Sequence, residues 1–144
     1  MGAVAREEVG EDQSPALSRA YSATADSVPL ARNALVRIAA AAGADYEQLD
    51  AVRLAASEAL TNAVIHAYPN RGGRIYVTAW TPDDELVIEI SDSGLGLQAG
   101  SDTPGLGVGL GLIAQLSDDF YIGQPQSGGT AVRMRFLLGP EHTV

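Results

Sequence analysis

Apolar residues recur every three to four positions through the first half of the chain, a spacing typical of helices that bury one side. The first of these segments covers residues 28–42. It follows two candidate N-cap residues, Asp26 and Ser27, has Pro29 in its first turn, and stops at Gly43. The pattern therefore predicts a helix of about four turns.

A second helix is predicted to begin at Asp45. The spacing from Asp45 to Gln48 indicates a capping box, in which each residue satisfies a backbone N–H of the other. Apolar residues at helical spacing follow, and the segment continues into residues 57–68 (SEALTNAVIHAY).

The second half of the chain changes to strand-like patterns separated by turn residues. Strands are predicted over residues 17–25, 74–80, 85–91, 120–122 and 130–138, and a third helix over residues 110–116. Residues 81–84 (TPDD) predict a hairpin loop. Helices followed by hairpin-connected strands predict an α+β fold, a two-layer α/β sandwich with helices on one face of a mixed, mostly antiparallel sheet.

Length and composition narrow the class of protein. A chain of 144 residues fits one domain, with residues 1–16 as a disordered acidic tail, 17–138 as the domain and 139–144 as a C-terminal end. The net charge of −9 argues against nucleic acid and anionic membrane surfaces as partners. Without a cysteine, and with only two histidines, a zinc site is not expected. No apolar run suits a membrane span and no signal peptide is present, which favours a cytoplasmic protein.

The most informative segment is residues 57–68, where Glu58, Asn62 and His66 stand four residues apart on one helix face. Most of the other residues there are small or apolar, which is typical of a buried helix. A carboxylate and an amide oxygen one turn apart suit a proton acceptor and a hard cation. An ordinary exposed polar stripe is the alternative.

Three glycine-containing segments follow. Asp92-x-Gly94-x-Gly96 comes directly after a strand, where a carboxylate can accept from an exocyclic amine and glycines admit a planar ligand. Residues 105–112 lead into a helix, whose first N–H groups can bind phosphates. Residues 128–130 open the last strand. Two stretches match a G-x-G-x-x-A dinucleotide fingerprint, but neither lies in a βαβ unit, so a Rossmann site is rejected.

In order and spacing, these motifs resemble the GHKL ATPase superfamily, which has the Bergerat ATP-binding fold. Within it, residues 57–68 are most similar to the N-box of the stand-alone anti-sigma factor serine/threonine protein kinases of bacteria. The resemblance covers residues 17–138. It implies an ATP- and Mg²⁺-dependent kinase that phosphorylates an anti-anti-sigma antagonist, sequesters a sigma factor, and forms a homodimer through its sheet side.

The resemblance also implies a role for each motif. Glu58 corresponds to the general base and Asn62 to the Mg²⁺ ligand, and residues 97–106 to a mobile lid, whereas His66 is interpreted as structural. The adenine side would be bound by Asp92, Gly94, Gly96 and Thr130, and the phosphate side by Gly105, Gly107, Val108, Gly109 and Leu110.

The chain departs from that family in its basic residues. It has no lysine, and Gly105 and Leu106 occupy positions where relatives often have an arginine or a small polar residue. The γ-phosphate charge would then be neutralised by Mg²⁺, backbone amides and an arginine from elsewhere. Gly111 is an additional glycine. Two alternatives stay open: a nucleotide-responsive binding module with little or no kinase activity, and a histidine-kinase catalytic domain acting on a separate phosphoacceptor.

Overall fold

A computed structural model of the protein describes residues 14–67, 72–94, 106–124 and 128–140. Within these ranges the elements are β1 (Leu17–Ser22), α1 (Ser27–Ala41), α2 (Tyr46–Ala67), β2 (Arg74–Trp80), β3 (Glu85–Asp92), α3 (Leu106–Leu116), β4 (Asp119–Gly123) and β5 (Ala131–Leu137). Every predicted helix and strand is present. No helix in the described part of the chain is long and apolar enough to cross a membrane.

The five strands form one sheet in the order β1-β2-β3-β5-β4. All four strand pairs in the described ranges are antiparallel, whereas the sequence had allowed a mixed sheet. The reason lies in the position of β5, which is inserted between β3 and β4. Those two strands run in the same direction but never pair, so no parallel ladder forms.

One face of the sheet is apolar and carries the helices, as predicted. Alternation along the strands places Val77 opposite Ile90 and Ile88 opposite Met134, and all four side chains are buried. Helix α2 lies centrally, packing against α1, against α3, and on β3 and β5. The core therefore fills the space between these helices and the sheet.

The start of α1 differs from its prediction. Asp26 occupies the N-cap position, but its side chain makes no cap hydrogen bond. Instead, the N–H of Ser27 donates to the carbonyl of Thr24, and the N–H of Val28 to that of Ala25. A backbone turn before the helix thus takes over the function of the cap.

The start of α2 confirms the capping box. The N–H of Asp45 donates to Gln48 Oε1 and the N–H of Gln48 to Asp45 Oδ1, both at 2.8 Å. Gln48 also contacts the far end of the chain, since its Nε2 donates to the carbonyl of Gly139 at 3.1 Å and its Oε1 accepts the N–H of Gly139 at 3.2 Å. This side chain links the first turn of α2 to the residues after β5.

Helix α3 begins at Leu106, earlier than residue 110 where the pattern predicted it. Glycine disfavours helix because it loses more conformational freedom than other residues. Packing of α3 against α2 overrides that propensity. The predicted hairpin loop is present, with positive φ at both Asp83 (23°) and Asp84 (59°).

Candidate functional site

The topology gathers several predicted site residues at one end of the sheet. Ser91 pairs with Ala131, so the end of β3 lies beside the start of β5. Asp92 pairs with Ile75, which places the start of β2 on the other side. Helix α2 is joined to β2 by residues 68–73 alone, so its C-terminal end lies towards this end of the sheet.

Asp92 is the buried acidic residue of this region, with 6% of its surface exposed. Its Oδ1 accepts the N–H of Gly94 at 2.9 Å, and its own N–H donates to the carbonyl of Thr130 at 2.9 Å. Burial raises the pKa of Asp92 above its ordinary value, and backbone hydrogen bonds from Gly94 and Thr130 offset part of that rise. The carboxylate is thus held in a fixed orientation with acceptor capacity to spare.

Gly129 is a site residue to which the sequence analysis gave no role. Its φ is +83°, and a Cβ at this position would overlap the carbonyl oxygen of Asp92. Only glycine can bring the backbone before β5 so close to the end of β3. The sequence signal for this contact is the Gly128-Gly129 pair directly before an alternating strand.

Glu58 and Asn62 are both half-buried on α2, one turn apart. Behind them the helix buries small and apolar side chains, including Ala55, Ala59 and Leu60. The Nδ2 atom of Asn62 is buried and has no hydrogen-bond partner in the described part of the chain. A buried amide without a partner is costly, so this atom fits a site that a polar ligand completes.

The glycine-rich segment is described only in part. Gly107, Val108 and Gly109 lie in the first turn of α3, where backbone N–H groups have no partner within the helix, and Leu110 packs half-buried against the core. Gly96, Gly105 and the proposed lid up to residue 105 lie outside the described residues, as does the side chain of His66. Gly111 is exposed, and a Cβ there would meet open space.

The described ranges contain no group of three or more histidine, cysteine, aspartate or glutamate side chains that could hold a metal ion. A site built on protein carboxylates alone is therefore not found there. Mg²⁺ does not require one, because it keeps several waters and commonly binds through one or two protein oxygens and substrate phosphates. Asn62 carries one such protein oxygen, the Oδ1 of its amide.

Comparison with known proteins assigns the chain to a family. The profile of the histidine kinase-like ATPase domain matches residues 21–136, a segment that contains every predicted site residue. An anti-sigma F factor of Clostridium acetobutylicum is 29% identical over 126 residues, which cover 80% of this chain and 88% of that protein. An anti-sigma F factor of Oceanobacillus iheyensis is 26% identical over 140 residues, which cover 89% and 96%.

A solved structure supports the fold. The crystal structure of the RsbU and RsbW domains of Rv1364c from Mycobacterium tuberculosis superposes with a TM-score of 0.62 at 22% identity. The match covers 87% of this chain but 33% of the other, so this chain spans about a third of that protein's length. The arrangement of helices over an antiparallel sheet is therefore shared.

Proposed function

The chain belongs to the family of histidine kinase-like ATPase domains, and from this premise we propose that it is an ATP-dependent serine/threonine protein kinase acting as an anti-sigma factor. It phosphorylates an anti-anti-sigma antagonist protein and sequesters a sigma factor. The names of the two relatives described above support this function. The observation that carries it is that Glu58 and Asn62 are half-buried one turn apart on α2, whose C-terminal end lies towards the end of the sheet where Asp92 is buried.

Asp92 is proposed to bind the adenine. Its buried carboxylate accepts a hydrogen bond from the exocyclic amine, which is the kind of donor that a charged acceptor binds strongly. Gly94 and Thr130 support this role because their backbone N–H groups hold the carboxylate in place. Gly96 and the side chain of Thr130 complete the adenine side of the proposed site.

Asn62 is proposed to hold Mg²⁺ through its amide oxygen, together with nucleotide phosphates and water. The ion would supply neutralisation of phosphate charge when bound. The backbone N–H groups of the first turn of α3, from Gly107 to Leu110, together with that of Gly105, would bind phosphate oxygens, as helix N-termini commonly do. Other kinases bind the phosphates with a lysine side chain; this chain has no lysine, so the backbone amides would bind them instead.

Glu58 is proposed as the general base. The hydroxyl oxygen of a serine or threonine on the partner attacks the γ-phosphorus, the bond from that phosphorus to the ADP oxygen breaks, and the hydroxyl proton moves to the Glu58 carboxylate. Phosphoryl transfer depends mainly on positioning and on charge stabilisation. A rigid helix anchored by buried Ala59 and Leu60 supplies that positioning.

The protein is further proposed to be a homodimer that meets its partner through the outer face of the sheet. Arg133 on this face bonds Glu89 at 2.7 Å and lies 5.7 Å from the centre of the Trp80 ring. Tyr121 beside it is 62% exposed. Aromatic side chains and arginine are enriched at protein interfaces.

The kinase assignment is tested by transfer of labelled γ-phosphate from ATP to a partner protein purified from the native host. Glu58→Gln keeps the size of the side chain and removes the base, so we expect transfer to fall by about a hundredfold or more. Asp26→Asn changes an exposed acidic residue outside α2 that makes no cap hydrogen bond, and it should transfer as wild type does.

Two outcomes would contradict this assignment. A Glu58→Gln protein that transfers phosphate at the wild-type rate would exclude Glu58 as the base. If the wild-type protein binds ATP in calorimetry yet labels no partner, the nucleotide-responsive binding module becomes the better description.

A further inference from the structure

Besides Tyr46 in its first turn, α2 exposes two large aliphatic side chains that are not needed for its packing on the sheet. Leu54 is 51% exposed and Ile65 is 56% exposed. The buried side of α2 is formed by other residues, among them Val52, Ala56 and Leu60. Leu54 and Ile65 therefore contribute little to the core.

Both side chains lie on the face of α2 that carries Glu58. At 3.6 residues per turn, Leu54 is about 40° and Ile65 about 20° around the helix axis from Glu58. Along the axis, Leu54 lies about 6 Å before Glu58 and Ile65 about 10 Å after it. Single exposed apolar residues are common and need no explanation. Leu54 and Ile65, however, lie on either side of the proposed base on the same helix face, which indicates a shared role.

A protein substrate must contact this face. For a hydroxyl to reach Glu58, the chain on either side of it has to pass over the neighbouring residues of the helix, within one to two turns. On this face of the helix, Leu54 and Ile65 are the exposed residues among those that the structure describes, and Thr61 is half-buried between them. The surface next to the base is thus mainly apolar.

We propose that Leu54 and Ile65 form the docking site for the acceptor segment of the protein substrate, an extended segment with apolar residues on both sides of its serine or threonine. This inference rests on the proposed kinase function. At about 3.3 Å per residue, the helix distances correspond to about two residues on one side of the hydroxyl and about three on the other. The docking site would thereby make the kinase selective for an acceptor sequence, since Glu58 alone could take a proton from any serine or threonine hydroxyl.

The charges on this face restrict the acceptor further. Glu47 and Asp50 are exposed in the turns before Leu54, and the net charge of the chain is −9. Arg53 offsets the charge of Asp50, with which it is paired at 2.7 Å, but not that of Glu47. Acidic residues beside the acceptor hydroxyl would be repelled, so neutral or basic flanks are favoured.

The test uses the full chain, ATP, and the phosphoacceptor protein identified by the labelling experiment above. Leu54→Asp and Ile65→Asp should each raise KM for the acceptor about tenfold, with kcat and the ATP dissociation constant close to wild type. Since the two residues are about 16 Å apart along the helix, the double variant should show about a hundredfold rise. Leu54→Met, which keeps an apolar side chain, should behave as wild type.

Leu30→Asp is the matched control. Leu30 is 63% exposed on α1, and an aspartate in the first turn of that helix is favourable. The inference is overturned if Leu54→Asp and Leu30→Asp have the same KM for the acceptor, or if Leu54→Asp changes ATP binding as strongly as it changes KM. Failure of the proposed function is distinct, because then the wild-type protein itself labels no acceptor.

Discussion

At the scale of single residues, Asp92 must meet two conflicting demands. An ionised carboxylate is the stronger acceptor for an amine, yet burial makes ionisation costly. The backbone N–H groups of Gly94 and Thr130 reduce that cost without removing it, and the pKa of Asp92 stays raised. The raised pKa therefore lowers stability at a position where the proposed binding of adenine requires a charge.

Asp92→Asn should separate these two demands. With a folded pKa above the unfolded one, wild-type Asp92 loses its proton first in the unfolded chain, so stability falls as pH rises through the interval between the two pKa values. The variant lacks this loss and should be at least as stable as wild type at pH 7, as measured by urea unfolding. Its ATP dissociation constant should rise about ten- to a hundredfold in calorimetry, because a charge-assisted hydrogen bond is removed.

Asp26→Asn provides the control for both measurements, since Asp26 is exposed and makes no cap hydrogen bond. It should change neither stability nor ATP affinity by much. An Asp92→Asn protein that binds ATP as tightly as wild type would remove Asp92 from the adenine site.

At the scale of elements, α3 contains a glycine whose replacement should stabilise the protein. Gly111 is exposed in its interior, and a Cβ there meets nothing within 4 Å. Gly111→Ala should therefore raise the free energy of unfolding by about 0.5–1 kcal/mol, through the lower conformational entropy of the unfolded chain. Thermal or urea unfolding measures the change.

Gly43→Ala is the matched comparison. It also has open space for a Cβ, but its φ is +104°, so the same substitution should destabilise the protein by about 1 kcal/mol. Should Gly111→Ala destabilise as much as Gly43→Ala, glycine at 111 would have to serve a conformation of α3 other than the regular helix.

Helices and strands that are determined by residues close together in the sequence were predictable. The capping box of Asp45 and Gln48 spans three residues, and the alternation of β5 follows from its own residues. The start of α3 was not predictable, because packing on α2 overrides the low helix propensity of its glycines.

The same distinction between local and long-range causes holds within the candidate site. The spacing of Glu58 and Asn62 is visible in the sequence, whereas the approach of Gly129 to Asp92 depends on strand pairing.

At the scale of the whole molecule, the two faces of the sheet differ in what covers them. The helices cover one face, while the other presents Tyr76, Tyr121 and the Arg133–Trp80 pair. Such an aromatic surface is expected to be buried by association, and a homodimer is the proposed partner arrangement.

Tyr121→Glu should weaken that dimer. The carboxylate would have to be desolvated in the interface, so the mass in solution should move from twice 14.9 kDa towards 14.9 kDa. Sedimentation velocity over a range of concentrations measures this shift. Tyr46→Glu, on the exposed first turn of α2, is the control and should keep the wild-type mass. A wild-type protein that sediments as a monomer at all concentrations would rule the dimer out.

The hydrogen bonds between Gln48 and Gly139 also bear on synthesis of the protein. Their partners lie 91 residues apart, so Gln48 leaves the ribosome long before Gly139 is translated. Until then the nascent chain can close the capping box but not the bonds that join α2 to the end of β5. This contact of the helix that carries Glu58 therefore forms only when translation of the domain is nearly complete.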